Sequence, residues 1–119
     1  MKRKGLTLII IIALLSTACL TARKQGSETE YNEHLNAAIK YFQQENYFLA
    51  RLELNQALRI NSKSVRANNL MGLTYFKEGN YDSAEIYFQR AIRIDPGYAT
   101  GYLNLGAIYA MRELYPKAR

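Results

Sequence analysis

The chain has 119 residues, with 16 lysines and arginines against 10 aspartates and glutamates, so its formal net charge is +6. Three of the basic residues precede the apolar N-terminal segment and the others do not form one stripe, so the charge does not indicate a nucleic-acid-binding protein. A single cysteine excludes an intrachain disulfide, and one histidine beside one cysteine is too few for a typical zinc site.

The chain begins with the layout of an export signal, which predicts a signal peptide at residues 1–18. Lys2, Arg3 and Lys4 form a basic start, and residues 5–15 are an almost unbroken apolar run. Small residues then lead to Cys19. This arrangement resembles the lipobox of bacterial lipoproteins.

The lipobox resemblance implies cleavage before Cys19 and lipidation of that residue. Leu20 stands where lipoproteins retained in the inner membrane usually carry aspartate, which favours an outer-membrane lipoprotein facing the periplasm. Two alternatives stay open. Residues 5–22 are uncharged and close to the shortest length that spans a bilayer, so the segment could be an uncleaved anchor. A simple secreted form is the other alternative.

A polar stretch without periodicity follows the apolar run. Residues 20–30 include Gly26 and Ser27 and predict a flexible tether. Together with Cys19 this gives a predicted segment 19–30 that is lipidated at its start and links the membrane to the folded part.

The rest of the chain repeats itself every 34 residues. Laying residues 31–64 over 65–98 gives eight identities in one ungapped register, where about two are expected by chance. A fixed period of this length predicts stacked supersecondary units that share a continuous core. Equivalent positions include Tyr41, Tyr75 and Tyr109, and Ala50, Ala84 and Ala118.

Each unit has the pattern of two antiparallel helices joined by a tight turn. In the first unit, 31–64, we predict helices near 31–44 and 48–60. In the second, 65–98, we predict a helix over 65–77 and another that is capped by Asp82 or Ser83 and ends at Asp95. In the third, 99–119, one helix runs to about residue 111 and a second only begins at Pro116.

The second unit resembles a tetratricopeptide repeat. The resemblance implies an all-α fold, a right-handed superhelical array of about two and a half helix pairs, in which Gly72 and Gly106 let paired helices approach closely. The first unit is degenerate, with Ser62 in place of the proline found at Pro96. The residues that carry the resemblance are Gly72, Tyr75, Ala84, Phe88 and Pro96, and Leu105, Gly106 and Tyr109 of the third unit.

In arrays of this family the first helix of each pair lines the concave side, and the resemblance places six candidate peptide contacts there. Apolar side chains beside amides that both donate and accept suit a peptide segment. The set of lysine, asparagine and arginine residues with which co-chaperone members of the family clamp a terminal carboxylate is not matched. The six candidates are Asn36, Phe42, Arg66, Asn69, Phe76 and Asn104.

No residue pattern indicates catalysis. His34 stands at a helix-packing position, Cys19 belongs to the export segment, and the glycines lack the spacing of a phosphate-binding loop. We therefore predict no enzyme activity, no cofactor, no metal site and no nucleic-acid partner.

These features together predict a membrane-anchored scaffold that faces the periplasm and binds a peptide segment of an envelope assembly. The succession of export signal, lipobox-like cysteine and repeats resembles lipoproteins that help assemble the type IV pilus machinery, and equally those that scaffold cell-wall hydrolases. The alternative is the recognition arm of a longer protein with a catalytic domain beyond residue 119. The incomplete third unit predicts either such a fragment or an open end that a partner or a second copy covers.

Overall fold

A computed structural model describes the backbone of residues 2–114 and the side chains of residues 3–114, and these residues form α-helices and no strand. The helices are α1 (Lys2–Gln43), α2 (Tyr47–Ile60), α3 (Val65–Lys77), α4 (Tyr81–Ile94) and α5 (Ala99–Leu114). The chain divides into two units, Met1–Glu30 and Tyr31–Arg119. The predicted helix start at Pro116 and the repeat position Ala118 lie outside the described residues.

The first unit is helical and its apolar side chains are exposed, with Ile9 and Leu15 each at 65%. The hydroxyls of Ser16, Thr17 and Thr21 each donate to a backbone carbonyl three residues back, at 2.8–2.9 Å. The polar side chains are therefore satisfied within the helix. By length and composition this helix could cross a membrane, a property that an export signal shares.

The segment predicted to be a flexible tether, residues 20–30, is helical instead. No proline interrupts it, and Gly26 costs a helix only about 1 kcal/mol relative to alanine. Ser27 Oγ donates to the Lys24 carbonyl at 3.1 Å, and Thr29 Oγ1 to the Gln25 carbonyl at 3.0 Å. The prediction of an irregular conformation was wrong because extending an existing helix through a polar segment is far less costly than starting a new one.

The second unit consists of stacked helix pairs with two clusters of buried side chains between the helices. Turns of three residues join residues 31–43 of α1 to α2, and α3 to α4, so the helices of each pair run antiparallel. One buried cluster joins α1, α2 and α3, and a second joins α4 to α5. The first cluster consists of Leu35, Ala38, Leu54, Ala67 and Met71, and the second of Ala84, Phe88 and Ile108.

The two turns within the pairs have the same geometry, 34 residues apart. Glu45 has a φ of 59° in the first turn and Gly79 a φ of 77° in the second. The next residue, Asn46 or Asn80, donates its amide to a carbonyl five residues back at 2.9 Å. A left-handed residue with this bond is the Schellman ending of a helix. The degenerate first unit thus forms the same turn with a glutamate where the second has glycine.

Asn46 and Asn80 also begin the second helix of each pair. Their side-chain oxygens accept from the backbone amides of Leu49 and Ser83, each at 3.2 Å. The predicted cap of α4 at Asp82 or Ser83 is therefore wrong, since the helix starts at Tyr81. Several good capping residues follow one another here, and only the turn geometry selects Asn80.

Gly72 lies at the close helix contact that the sequence predicts. A Cβ added there would lie 2.5 Å from Cε1 of Phe88, whose side chain is fully buried. For Gly106, the equivalent position of α5, the same expectation stays a prediction, because the helix that would pair with α5 lies outside the described residues. No atom of the described residues comes within 4 Å of an added Cβ there. The face of α5 around Gly106 is thus uncovered in the part of the chain that the structure describes.

Candidate interaction surface

Four of the predicted contact residues lie on the first helices with part or all of the side chain open to solvent. Asn36 on α1 and Arg66 on α3 are exposed. Phe42 and Phe76 are half-buried, and each ring packs edge to face on a tyrosine of the following helix, with centroid distances of 5.7 and 5.4 Å. These tyrosines hold the two rings at equivalent ends of successive first helices.

Asn69 does not belong to this open set. Its exposed fraction is 8%, and its Oδ1 accepts from Nδ2 of Asn104 at 2.8 Å. The prediction that Asn69 presents a free amide to a peptide is therefore wrong. α3 and α5 are neighbouring first helices, so the two amides bond to each other, and Asn104 is itself half-buried. The pair joins two successive units.

A leucine on α5 adds to the exposed residues of the first helices. Leu103 is 73% exposed, more than any other large apolar side chain of residues 31–114. We use the name first-helix surface for Asn36, Phe42, Arg66, Phe76 and Leu103. It offers apolar area, one amide and one cation, which is the chemistry of a peptide-contacting surface.

A stack of cations and aromatic rings crosses three helices elsewhere in the unit, and no sequence motif indicates it. Arg51 Cζ of α2 lies 5.1 Å from the ring centroid of Tyr75, which stacks on Tyr87 with a centroid distance of 5.7 Å and an interplanar angle of 20°. Arg90 Cζ then lies 4.8 Å from the Tyr87 ring. Arg51 also forms an ion pair with Glu78. The stack fixes α2, α3 and α4 against one another.

His34 makes a polar contact rather than the packing contact that its repeat position suggests. Its Nδ1 lies 2.6 Å from Oε2 of Glu53, and both side chains are half-buried. The pair links α1 to α2. Among residues 3–114 no group of three histidine, cysteine or acidic side chains could hold a metal ion.

A second polar cluster holds α5 on α4. The Arg112 guanidinium bonds Oδ1 of Asp82 at 2.6 Å and Oε2 of Glu85 at 2.5 Å. The Tyr109 hydroxyl donates to the other Glu85 oxygen at 3.0 Å. This hydrogen bond raises the pKa of Tyr109 above its usual value, and partial burial and the Glu85 charge act in the same direction. The guanidinium of Arg112 is rigid and planar, and it binds both carboxylates of α4 at once. The cluster therefore fixes the angle of α5 relative to α4.

The uncovered face of α5 lies beside this cluster. Tyr102 and Tyr109 are 52% and 50% exposed, and Gly106 between them is open. On α3 the equivalent face is filled by the α4 helix, with Phe88 over Gly72. That a partner or a second copy covers this face of α5 stays a prediction.

Comparison with known proteins agrees with this geometry. Residues 65–98, which are α3, α4 and the loop after them, match the model of the tetratricopeptide repeat family. The crystal structure of MamA resembles the chain with a TM-score of 0.68 and 24% identity, over 74% of this chain and 52% of that one. At this identity the likeness shows the fold, and the chain spans about half the length of MamA. No curated protein matches the chain.

The family match and the structural match together establish the fold. Tetratricopeptide repeats are typically non-catalytic and serve as scaffolds for other proteins. The chain is an all-α protein with a tetratricopeptide repeat at residues 65–98, inside a stacked array of antiparallel helix pairs.

Proposed function

We propose that this protein is an exported, membrane-anchored adaptor of the cell envelope. In this proposal lipidated Cys19 holds the chain at the outer membrane, and the helical array faces the periplasm. The array binds a peptide segment of an envelope assembly such as the type IV pilus machinery. The main observation in support of this proposal is the first-helix surface. Three successive first helices contribute to it, in a fold whose members bind other proteins.

Support for the anchor comes from the first unit. A basic start precedes an apolar helix whose side chains are exposed, and Cys19 is also exposed at the end of that apolar run. An apolar surface of this size is stable only when a membrane or another apolar partner covers it. In this proposal, cleavage before Cys19 removes the apolar helix from the mature protein. The lipid on Cys19 then holds the mature protein at the membrane.

Labelling with a palmitate analogue in cells tests the anchor. We expect the label on the wild type and none on Cys19→Ala, with a mature N-terminus at residue 19 by mass spectrometry. Thr17→Ser is the matched control, because it keeps a small residue near the cleavage point and the cysteine in place. Labelling that persists in Cys19→Ala, or an intact N-terminus on the wild type, would reject the lipoprotein and favour an uncleaved anchor.

Support for peptide binding comes from two phenylalanine rings and one arginine on the first helices. Phe42 and Phe76 are one repeat apart and held by neighbouring tyrosines, so they contribute apolar area at little entropic cost. Arg66 is exposed on α3 and forms no ion pair among the described residues. A segment with two apolar side chains and an acidic residue matches these groups.

Site-specific photo-crosslinking in cells tests the adaptor role. A photoreactive residue at position 103 is expected to crosslink a component of the pilus machinery, such as its secretin, and Arg66→Gln and Phe76→Ala are expected to lower the yield. The control position is Leu52, a 47% exposed leucine on a second helix. The same product from position 52 but not from 103 would reject the first-helix surface. If the only crosslinked products are cell-wall hydrolases, these enzymes and not the pilus assembly are the partner.

A further inference from the structure

A cavity between α2, α4 and the loop joining α2 to α3 has the chemistry of an anion site. Its volume is about 560 Å³, and it shares no lining residue with the first-helix surface. Two arginines from different helices line it, and no acidic residue does. The lining residues that matter here are Arg59 of α2, Arg90 of α4, Leu58, Tyr87, Asn55 and Asn68.

Both Arg59 and Arg90 have guanidinium N–H groups that can donate hydrogen bonds to a ligand. The ion pairs among the described residues use His34, Arg51 and Arg112, and none uses Arg59 or Arg90. Arg59 Nη1 has a long bond of 3.5 Å to Gln56. Arg90 lies over the Tyr87 ring, which leaves the edge of its guanidinium plane free to donate. Arginine forks match carboxylate and phosphate oxygens in geometry as well as in charge.

Two side chains that line the cavity, Tyr87 and Asn68, are held in place before any ligand binds. Tyr87 is stacked on Tyr75, which packs against the buried core. Asn68 is 2% exposed, and its Nδ2 donates to the carbonyls of Ser62 and Ser64 at 3.2 and 2.8 Å. These bonds hold the loop that forms one side. A site built in advance loses little entropy on binding.

We infer that this cavity binds an acidic side chain of a partner peptide, together with an aliphatic or aromatic residue next to it. The two arginines require an anionic group, which a carboxylate supplies. Leu58 and the Tyr87 ring give the same cavity an apolar wall, which matches a peptide better than a bare inorganic anion. The cavity is a wide, open pocket, so a side chain can enter it from a peptide that lies across the surface.

The test measures binding of a fluorescein-labelled peptide of alternating aspartate and phenylalanine to the full chain in nanodiscs of phosphatidylcholine. The comparison peptide has asparagine in place of aspartate. We expect the acidic peptide to bind at least tenfold more tightly, and both Arg59→Gln and Arg90→Gln to weaken it about tenfold. Arg93→Gln is the matched control, because it removes the same charge from an exposed position of α4 outside this cavity.

Three results would overturn the inference. The first is equal binding of the two peptides. The second is equal weakening by Arg93→Gln, which would assign the effect to net charge. The third is competition by inorganic phosphate or soluble short-chain phosphatidylglycerol that matches the peptide in affinity and in its dependence on Arg59 and Arg90, which would assign the site to a phosphate group. Thermal unfolding of each variant checks that its fold is kept. The same peptide also carries the groups that the first-helix surface is proposed to bind. All variants are therefore compared in an Arg66→Gln, Phe76→Ala background, which leaves the cavity as the site under test.

Discussion

Replacing Gly72 with alanine tests the close contact at the centre of the array. The added Cβ would lie 2.5 and 2.6 Å from two ring carbons of Phe88, whereas carbon atoms in contact prefer roughly 3.5–4.0 Å. The ring is fully buried between Ala84 and Ile108, so it has no open space to move into. The methyl group therefore overpacks the core.

The expected magnitude has two opposing contributions. Overpacking of a core costs about 1–3 kcal/mol. Alanine is better than glycine inside a helix by about 1 kcal/mol, which offsets part of that cost. Gly106→Ala is the matched control, since it keeps the helix gain at the equivalent position without a clash. The difference between the two variants isolates the overpacking, so we expect Gly106→Ala to be more stable than Gly72→Ala by about 1–3 kcal/mol.

Thermal unfolding of the full chain in mild detergent, followed by far-ultraviolet circular dichroism, measures this difference. For a folded unit of this size 1 kcal/mol corresponds to roughly 4–8 °C in Tm. In the double variant Gly72→Ala, Phe88→Leu the smaller side chain makes room for the methyl group, so the two changes should cost less together than their sum. A Gly72→Ala variant as stable as Gly106→Ala would refute the assignment of Gly72 to the interface between α3 and α4.

Three further predictions concern the turn, the amide pair and the tyrosine cluster. Glu45→Gly should raise the free energy of unfolding by about 0.5–1 kcal/mol in the same assay, because a left-handed φ strains glutamate more than the extra glycine entropy costs. In a double-mutant cycle, Asn69→Ala and Asn104→Ala should show a coupling of about 0.5–1.5 kcal/mol, and additive effects would contradict the bond between them. The raised pKa of Tyr109 favours its neutral form in the folded state, so its stabilising contribution is complete below pH 10 and is lost as the pH rises through the folded pKa. Stability should therefore fall less steeply above pH 10 in Tyr109→Phe than in the wild type.

The sequence predicts the helix pairs and their core because those features depend on local spacing. The 34-residue identities place Ala50 and Ala84 at buried positions, and both are fully buried. Gly72 is predicted at a close contact for the same reason. A residue type that recurs at one position of a repeat reflects a requirement within that repeat, and the requirement can be read without knowing how successive repeats are placed.

Contacts between units are less predictable from the sequence. Asn69 has the features of a solvent-facing helix residue, and only the placement of α5 against α3 gives it Asn104 as a partner. Arg51 of α2 likewise reaches the Tyr75 ring of α3, in the next unit. The prediction of a flexible tether at residues 20–30 was wrong for a different reason. Polar composition indicates exposure to solvent but does not by itself end a helix.

The polar contacts between units have a consequence for binding. A surface assembled from α1, α3 and α5 keeps its shape only if successive first helices stay at fixed spacings. Apolar stacking alone allows sliding, because small side chains pack acceptably in several registers. Directional bonds remove that freedom: the Tyr31 hydroxyl lies 2.6 Å from Ser64 Oγ at the first junction, and Asn104 donates to Asn69 at the second. The Arg112 guanidinium adds two more bonds, between α5 and α4. An array of this kind gains specificity from such bonds, since a partner that spans several helices then meets groups already in place.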